Sequence, residues 1–351
     1  MNQILSVQVL RALAALSVAY GHAAYDASQI AARSGQTFEP AFRELSAAGV
    51  DLFFVISGFV MVWSSRSLFG RPGAAGLFIG RRLARIVPLY WATTTVFLLA
   101  LAMLPQAVNA AAPAVGDIVK SYVFIPFRRP GDGSLQPVYG LGWTLNYEMF
   151  FYVCFAGLLA LRAGWAIGVL VAVFSGIVAA GYWLTPQSAP LQFWSQPIIL
   201  EFVLGALVGY AYLSGVRVPR PVGLAAVALA ACFFLAATGG TFPQGAFDRL
   251  WMLGAPAALA LAGATLVNQS PREGAVWRGL AMLGDASYAL YLIHPMLIRA
   301  LNMVWTKLGL APQVGWPFII VALLLSLASA VVVYRWFERP LTLWLQGRSR
   351  S

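Results

Sequence analysis

Two side chains that can bind an anion and move a proton share one face of the first apolar segment. Arg11 and His22 are eleven residues apart, which corresponds to about three turns of an α-helix and about 16 Å along its axis. Because an imidazole titrates near neutral pH, His22 is a candidate general base toward a hydroxyl group. Ala15 and Val18 lie between them, which predicts room for a slender ligand. Alternatively, Arg11 and His22 simply extend to opposite membrane interfaces.

Carboxylates at Asp51, Glu148 and Glu201 lie within or at the edges of apolar segments. A charged side chain inside a membrane costs roughly 2.5–3.5 kcal/mol, so it usually faces a polar cavity or a partner. We expect Asp51 and Glu148 at about the membrane depth of His22, where either carboxylate could orient the imidazole and stabilise its charged form. The alternatives are a charge at a helix end for Asp51 and interhelical hydrogen bonds for Glu148 and Glu201.

A cluster of arginines follows the second apolar segment. Arg81 and Arg85 are four residues apart and Arg82 and Arg85 are three apart, so a helix gathers all three guanidinium groups on one side. Guanidinium groups bind phosphate in a bidentate manner and keep their charge. The spacing therefore predicts a site for a ligand with several phosphates, such as coenzyme A. Contacts with anionic lipid are the alternative.

The second of the two histidines lies in the ninth apolar segment. Ser287, Tyr291 and His294 fall on one helical face at spacings of four and three residues. Pro295 has no N–H group and leaves a backbone carbonyl of the preceding turn free. His294 is therefore a candidate for binding a substrate, and a buried histidine that only satisfies its neighbours is the alternative.

The composition indicates the surroundings in which these side chains must be positioned. Hydrophobic residues make up 60% of the 351 residues and charged residues 10%, and the mean hydropathy is +0.76. Charged residues usually form about a quarter of a soluble domain, so the sequence predicts an all-α integral membrane protein. The net charge of +11 does not indicate nucleic-acid binding, because the basic residues lie mainly in short loops between apolar segments.

The apolar segments predict a bundle of about ten transmembrane helices. Their approximate limits are 5–25, 47–64, 86–104, 141–161, 164–184, 197–214, 221–238, 250–268, 285–304 and 316–336. Basic residues are more frequent in the loops on the side of the N-terminus, which predicts that both termini are cytoplasmic. We therefore expect a transmembrane domain at 1–340 and a short basic cytoplasmic tail at 341–351.

Taken together, these segments resemble the acyltransferase-3 family of bacterial membrane acyltransferases, and most closely its exopolysaccharide-modifying branch. The matching motifs run in the family's order along nearly the whole chain. They are Arg11 to His22, the aromatic segment 49–59, the basic segment Arg81 to Pro88, Trp143 to Glu148, Ser287 to Pro295, and Glu338 to Pro340.

The resemblance implies O-acetylation of a cell-envelope or secreted polysaccharide, or a lipid-linked oligosaccharide, in the bacterial inner membrane. It implies acetyl-CoA as the acyl donor, with no permanently bound cofactor and no metal, and polysaccharide-assembly proteins as partners. By position, the resemblance implies His22 as the catalytic residue and Arg11, Arg82 and Arg85 as donor-binding residues. Together with the residues singled out from the sequence itself, the predicted sites are His22, Asp51 and Glu148 as catalytic, Arg11, Arg81, Arg82 and Arg85 as donor-binding, and Tyr147, Glu201, Tyr288, Tyr291 and His294 as substrate-binding.

The expected mechanism places the phosphates of coenzyme A on the arginines and its pantetheine arm along the face between Arg11 and His22. His22 then acts as the base, and both direct transfer and an acetyl-histidine intermediate fit the sequence. A transporter or flippase of a lipid-linked sugar is the main alternative, because intramembrane charges also suit a proton-coupled carrier. Another acyl donor, or a non-glycan acceptor such as a macrolide or a lipid, is a further alternative.

Overall fold

The expectation of an all-α protein is confirmed. The computed structural model describes residues 4–42, 45–104, 112–238, 245–268 and 274–348, and these residues are mostly α-helical. Extended pairing within these ranges is limited to an isolated bridge between Val218 and Val267. Every predicted apolar segment coincides with at least one helix, because each is long enough for several turns and is bounded by Gly- or Pro-containing loops.

The α-helices are numbered here in chain order. They are α1 (Leu5–Arg33), α2 (Leu45–Ser64), α3 (Ala74–Met103), α4 (Val115–Tyr122), α5 (Trp143–Leu158), α6 (Ala163–Leu184), α7 (Ala189–Trp194), α8 (Leu200–Leu213), α9 (Arg220–Thr238), α10 (Ala246–Arg249), α11 (Ala255–Thr265), α12 (Ala275–Asp285), α13 (Ser287–Lys307), α14 (Trp316–Val333) and α15 (Arg339–Arg348). Short π-helical segments at Leu250–Gly254 and Tyr334–Glu338 join α10 to α11 and α14 to α15.

The chain forms two compact units. Unit 1 contains Met1–Ile56 and Gly215–Arg339, and unit 2 contains Ser57–Ser214 and Pro340–Ser351. The division falls within α2. The residues predicted for catalysis and for donor binding are distributed over both units.

In unit 1, α1 packs against α12, α13 and α14. Its buried face carries alanines at intervals of four residues, including Ala19, Ala23 and Ala27, each with 0% exposure. Small side chains let helix backbones approach closely where the surroundings are apolar. Gly49 on α2 shows the same effect, since a Cβ atom there would overlap the side chain of Ser17 on α1.

In unit 2, aromatic rings fill the space between the helices. The ring of Phe151 on α5 lies 4.7 Å from that of Phe202 on α8 and 5.8 Å from that of Phe174 on α6. A Cβ atom at Gly58 would overlap the backbone carbonyl of Phe202. Aromatic packing and close backbone approach therefore hold this unit together.

Several of the helices are suited to a bilayer, and the chain is a multi-pass membrane protein. In the described part of the chain, five helical stretches are long and apolar enough to cross a membrane: Leu45–Ser64, Ala74–Met103, Ala163–Leu184, Arg220–Ala237 and Trp316–Gly347. The count of about ten spans stays a prediction, because the other apolar segments form helices that are shorter or less apolar.

The two ends of the chain differ from the expected boundaries. Helix α1 continues to Arg33, about two turns beyond the predicted limit at residue 25. Much of the predicted tail is helical, since it lies in α15. Thr342 Oγ1 donates a hydrogen bond to the Ala84 carbonyl at 3.4 Å, and Gln346 Nε2 donates one to the Arg81 carbonyl at 3.3 Å. The tail therefore packs on α3, next to the predicted donor-binding arginines.

Candidate functional site

The two histidines lie together in unit 1, although they are far apart in the sequence. Helix α1 positions His22 and α13 positions His294, and their ring centroids are 5.1 Å apart. His294 has 0% exposure, whereas the His22 side chain is exposed between the buried residues Gly21 and Ala23. His22 is therefore the more exposed member of the pair.

The hydrogen bond of His294 determines which of its nitrogens carries the proton. Its Nδ1 lies 2.9 Å from the Leu290 carbonyl oxygen. Because a carbonyl oxygen only accepts, Nδ1 must donate, and Nε2 of the neutral ring then carries a lone pair. Within the described ranges, this buried Nε2 has no hydrogen-bond partner. It is available to accept a hydrogen bond from a ligand.

A carboxylate that the sequence analysis did not single out lies beside His22. Asp26 is one helical turn further along α1 and interacts electrostatically with His22. Its Oδ1 accepts a hydrogen bond from Asn302 Nδ2 at 3.1 Å and lies 3.9 Å from Arg299 Nη1. The four-residue spacing from His22 could have identified Asp26 from the sequence. Asp26 was missed because it lies just outside the predicted limit of the first segment. We call His22, Asp26 and His294 the histidine cluster.

The predicted catalytic residue Asp51 is bound to an arginine. Arg249 donates from Nε to Asp51 Oδ1 at 3.0 Å and from Nη2 to Asp51 Oδ2 at 2.8 Å. The Asp51 side chain has 0% exposure and that of Arg249 has 26%. The sequence analysis did not single out Arg249 and missed this pair, which is separated by 198 residues. A role for Asp51 in orienting His22 stays a prediction.

The face of α1 between Arg11 and His22 differs from the expectation. Ala15 has 0% exposure and Val18 has 2%, and α2 approaches this face closely at Gly49. These positions therefore serve helix packing, and the expectation that they leave room for a ligand was wrong. Arg11 is partly buried, and its Nη1 donates a hydrogen bond to Gln8 Oε1 at 3.3 Å.

In unit 2, the predicted donor-binding arginines do lie together on α3. Arg82 interacts electrostatically with Arg81 and Arg85. Its Nη2 donates a hydrogen bond to Ser64 Oγ at 2.7 Å, and its guanidinium carbon lies 5.4 Å from the centre of the Phe78 ring. These contacts hold the guanidinium group of Arg82 in place. All three arginines are partly buried.

Glu148 belongs to the same group. Its Oε2 accepts a hydrogen bond from the Tyr152 hydroxyl at 3.1 Å, and its carboxylate interacts with Ser57, Arg82 and Arg85. Glu148 was predicted to act with His22, and the observed contacts instead associate it with the predicted donor-binding residues of its own unit. We call Arg81, Arg82, Arg85 and Glu148 the arginine cluster.

The predicted substrate-binding residues fall into two groups. Tyr291 and His294 lie together in unit 1, with ring centroids 6.3 Å apart, and Tyr288 lies one turn before Tyr291 on α13. Tyr147 and Glu201 belong to unit 2, where Tyr147 stacks on Phe193 at 4.0 Å and Glu201 has 0% exposure. Tyr291 and His294 are therefore the pair that the structure brings together with His22.

The two clusters offer different chemistry. The histidine cluster combines an accessible imidazole with a carboxylate and a second imidazole, a set of groups suited to proton transfer. The arginine cluster carries three permanently charged guanidinium groups, which suit phosphate binding. In the described ranges, no group of three or more His, Cys, Asp or Glu side chains is arranged to hold a metal ion.

Comparison with known proteins agrees with the family resemblance that the sequence motifs indicate. A family described as an acyltransferase domain, Acyl_transf_3, matches residues 4–335. The exopolysaccharide production protein ExoZ of Rhizobium meliloti is 38% identical over 317 residues, which cover 87% of this chain and 92% of that protein. The acyltransferase MdmB of Streptomyces mycarofaciens is 28% identical over 77% of this chain and 73% of its own length.

A third relative, nodulation protein 10 of Rhizobium leguminosarum bv. viciae, is 26% identical over 73% of each chain. No solved structure matches. The family match includes both histidines and all three arginines of the two clusters, because each of these residues falls within 4–335.

Proposed function

Because this chain belongs to the acyltransferase-3 family and is therefore an acyltransferase, we propose that it transfers an acetyl group from acetyl-CoA to a hydroxyl group of a cell-envelope or secreted polysaccharide. The polysaccharide acceptor is supported by the exopolysaccharide production protein of Rhizobium meliloti, which resembles this chain over most of its length. A lipid-linked oligosaccharide presents the same hydroxyl chemistry and belongs to the same proposal.

The observation that carries this proposal is an accessible imidazole at His22, next to a carboxylate and a second imidazole. In the proposed step, His22 accepts the proton of a sugar hydroxyl while the oxygen attacks the thioester carbonyl. The carbon–sulfur bond then breaks, and the imidazolium returns the proton to the departing thiolate. The products are an acetyl ester and free coenzyme A, so charge and protons balance.

His294 and the tyrosines of α13 are assigned to the acceptor. The free lone pair on His294 Nε2 can accept a hydrogen bond from a sugar hydroxyl, and its tautomer is fixed by the Leu290 carbonyl. Tyr291 lies next to His294 and Tyr288 is one turn away on the same helix, so both are assigned to the acceptor with it. This assignment predicts that these residues affect acceptor use more strongly than donor use.

The arginine cluster is assigned to the phosphates of the donor. Arg82 is held by Ser64, and the carboxyl group of Glu148 lies near Arg82 and Arg85. A carboxylate in this position keeps neighbouring guanidinium groups from repelling one another before an anion binds. We therefore assign Glu148 to the donor-binding group. Catalytic roles for Asp51 and Glu148, and donor binding by Arg11, stay predictions.

The proposed location is the bacterial inner membrane, with both termini in the cytoplasm. This orientation follows the distribution of basic residues and puts the arginines on the side where acetyl-CoA is made. Modification of a growing or exported polysaccharide at this membrane implies contact with polysaccharide-assembly proteins.

The test uses membranes that contain the full-length protein, acetyl-CoA labelled in the acetyl group, and polysaccharide from the host. We expect the wild-type protein to place label on the polysaccharide in a form that hydroxylamine releases, as an ester does. His22→Ala should abolish the labelling at an equal protein level, whereas Asp132→Asn, in an exposed loop, should not. Equal labelling by His22→Ala would reject this mechanism. Labelling only from succinyl-CoA would reject the donor.

A further inference from the structure

We propose that Asp26 positions His22 for catalysis and stabilises the imidazolium that forms during acyl transfer. This inference rests on the proposed function and assigns a role to a carboxylate outside the matched family motifs. Asp26 is a positioning residue, because it acts through His22 and contacts no reacting atom in the proposed step.

The helix itself places the two side chains together. Residues four apart on an α-helix have their Cβ atoms about 5–6 Å apart on one face. His22 and Asp26 have this spacing on α1, and the two groups interact electrostatically. A carboxylate beside an imidazole stabilises its protonated form and restricts its orientation, as a general base requires.

Neighbouring groups hold Asp26 in place without cancelling its charge. Asn302, on α13, is 5% exposed and donates its hydrogen bond to Asp26 Oδ1. The contacts from Asn302 and Arg299 both use Oδ1 of the carboxylate.

The charged groups that face Asp26 are Arg33 on α1 and Arg299 on α13. The contact with Arg299 is long, at 3.9 Å, so the guanidinium does not form a close hydrogen-bonded ion pair with Asp26. Asn302 carries no charge. The negative charge of Asp26 therefore remains available to His22 when the imidazole gains a proton.

The alternative is that Asp26 only links α1 to α13 through Asn302. The two roles separate in the variant Asp26→Asn. An asparagine at this position keeps an oxygen that accepts the Asn302 hydrogen bond but removes the negative charge. A structural link would survive this change, whereas electrostatic support of His22 would not.

The experiment measures kcat and the donor KM with the full-length protein in membranes. We expect Asp26→Asn to lower kcat by about 100-fold and to leave the donor KM within about 2-fold, because the donor phosphates bind elsewhere. Asp26→Glu keeps the charge and should recover part of the activity. Asp132→Asn is the matched control and should leave kcat unchanged.

A second measurement does not depend on the stability of Asp26→Asn. Asp26→Ala should be inactive and should regain activity as formate is added, because a small carboxylate can occupy the vacated space. A fall in kcat of less than about 10-fold in Asp26→Asn, or no effect of formate on Asp26→Ala, would overturn this inference while leaving the proposed function intact. Absence of transfer by the wild-type protein would overturn both.

Discussion

The histidine cluster of unit 1 and the arginine cluster of unit 2 each combine neighbouring turns of one helix with one residue of a second helix, but they differ in the kind of side chain. The histidine cluster has short side chains, with His294 and Asp26 fixed by hydrogen bonds. The arginine cluster has long side chains, and in Arg82 the guanidinium is fixed through Ser64.

Under the proposed function, this difference corresponds to separate roles for the two clusters. A group that transfers a proton must be held within about 0.5 Å of its productive position, which short side chains on rigid helices achieve. A group that binds a flexible polyanion needs reach and permanent charge, which arginine supplies. Variants in the histidine cluster should therefore change kcat, and variants in the arginine cluster should change the donor KM.

The largest expected effect is that of His22→Ala. Removal of the imidazole should lower kcat by about 1,000-fold, because a positioned general base contributes about 10²–10⁴-fold. The donor KM should stay unchanged, and steady-state kinetics in membranes measure both. A large increase in the donor KM would show that His22 binds the donor, and the division between the two clusters would fail.

Removal of two guanidinium groups from the arginine cluster should have a smaller and different effect. Arg82→Ala combined with Arg85→Ala should raise the donor KM by about 10- to 100-fold, since hydrogen bonds to charged groups contribute about 1.5–3 kcal/mol each. The kcat at saturating donor should change little. The matched control is replacement of both residues by Lys, which keeps the charge but not the bidentate geometry. An unchanged donor KM in the alanine variant would contradict the assignment.

Disruption of the Asp51–Arg249 pair should mainly lower the stability of the protein, because the pair belongs to neither cluster. Asp51→Asn should destabilise unit 1 by roughly 2–3 kcal/mol, less than the cost of breaking a fully buried pair, because Arg249 is partly exposed. Thermal unfolding of the purified protein in detergent measures this loss. Unchanged stability combined with a large fall in kcat would instead support the catalytic role predicted for Asp51.

The smallest expected effect is at Asp132, in the exposed loop before α5. Hydrogen bonds from the Ser134 backbone N–H and hydroxyl lower the pKa of the Asp132 carboxyl group. These hydrogen bonds therefore stabilise the loop fully above the pKa that Asp132 has in the unfolded chain. Their contribution is lost as the pH falls through the lower pKa that Asp132 has in the folded chain. Asp132→Asn should leave transfer within about 2-fold. It should alter the loop at pH values above about 4, the usual pKa of an aspartate, and not below the folded pKa, which NMR of the Ser134 amide would detect.

Local geometry in this protein was predictable from the sequence, whereas long-range pairing was not. The 3.6-residue helical period predicted that Arg81, Arg82 and Arg85 meet on one side, and the structure agrees. The period also placed Arg11 and His22 on one helix. Asp26 carried the same kind of signal, but the end of the helix was set two turns too early because the hydrophobic pattern stops before the helix does.

The pairing of Asp51 with Arg249 depends on how α2 and α10 pack, which a single sequence does not specify. The burial of Ala15 and Val18 also depends on how the helices pack. A small residue on a helix face is compatible with an open passage and with close helix packing. The choice between them is made by the opposing helix, here through Gly49 on α2.

The most direct test of the central claim is a measurement of both products of transfer. The purified protein in phospholipid vesicles is given host polysaccharide and doubly labelled acetyl-CoA, with one isotope in the acetyl group and another in coenzyme A. We predict equal amounts of polysaccharide ester and free coenzyme A from the wild-type protein and neither product from His22→Ala. Ester formation that persists in His22→Ala, or release of coenzyme A without ester on the polysaccharide, would contradict the account.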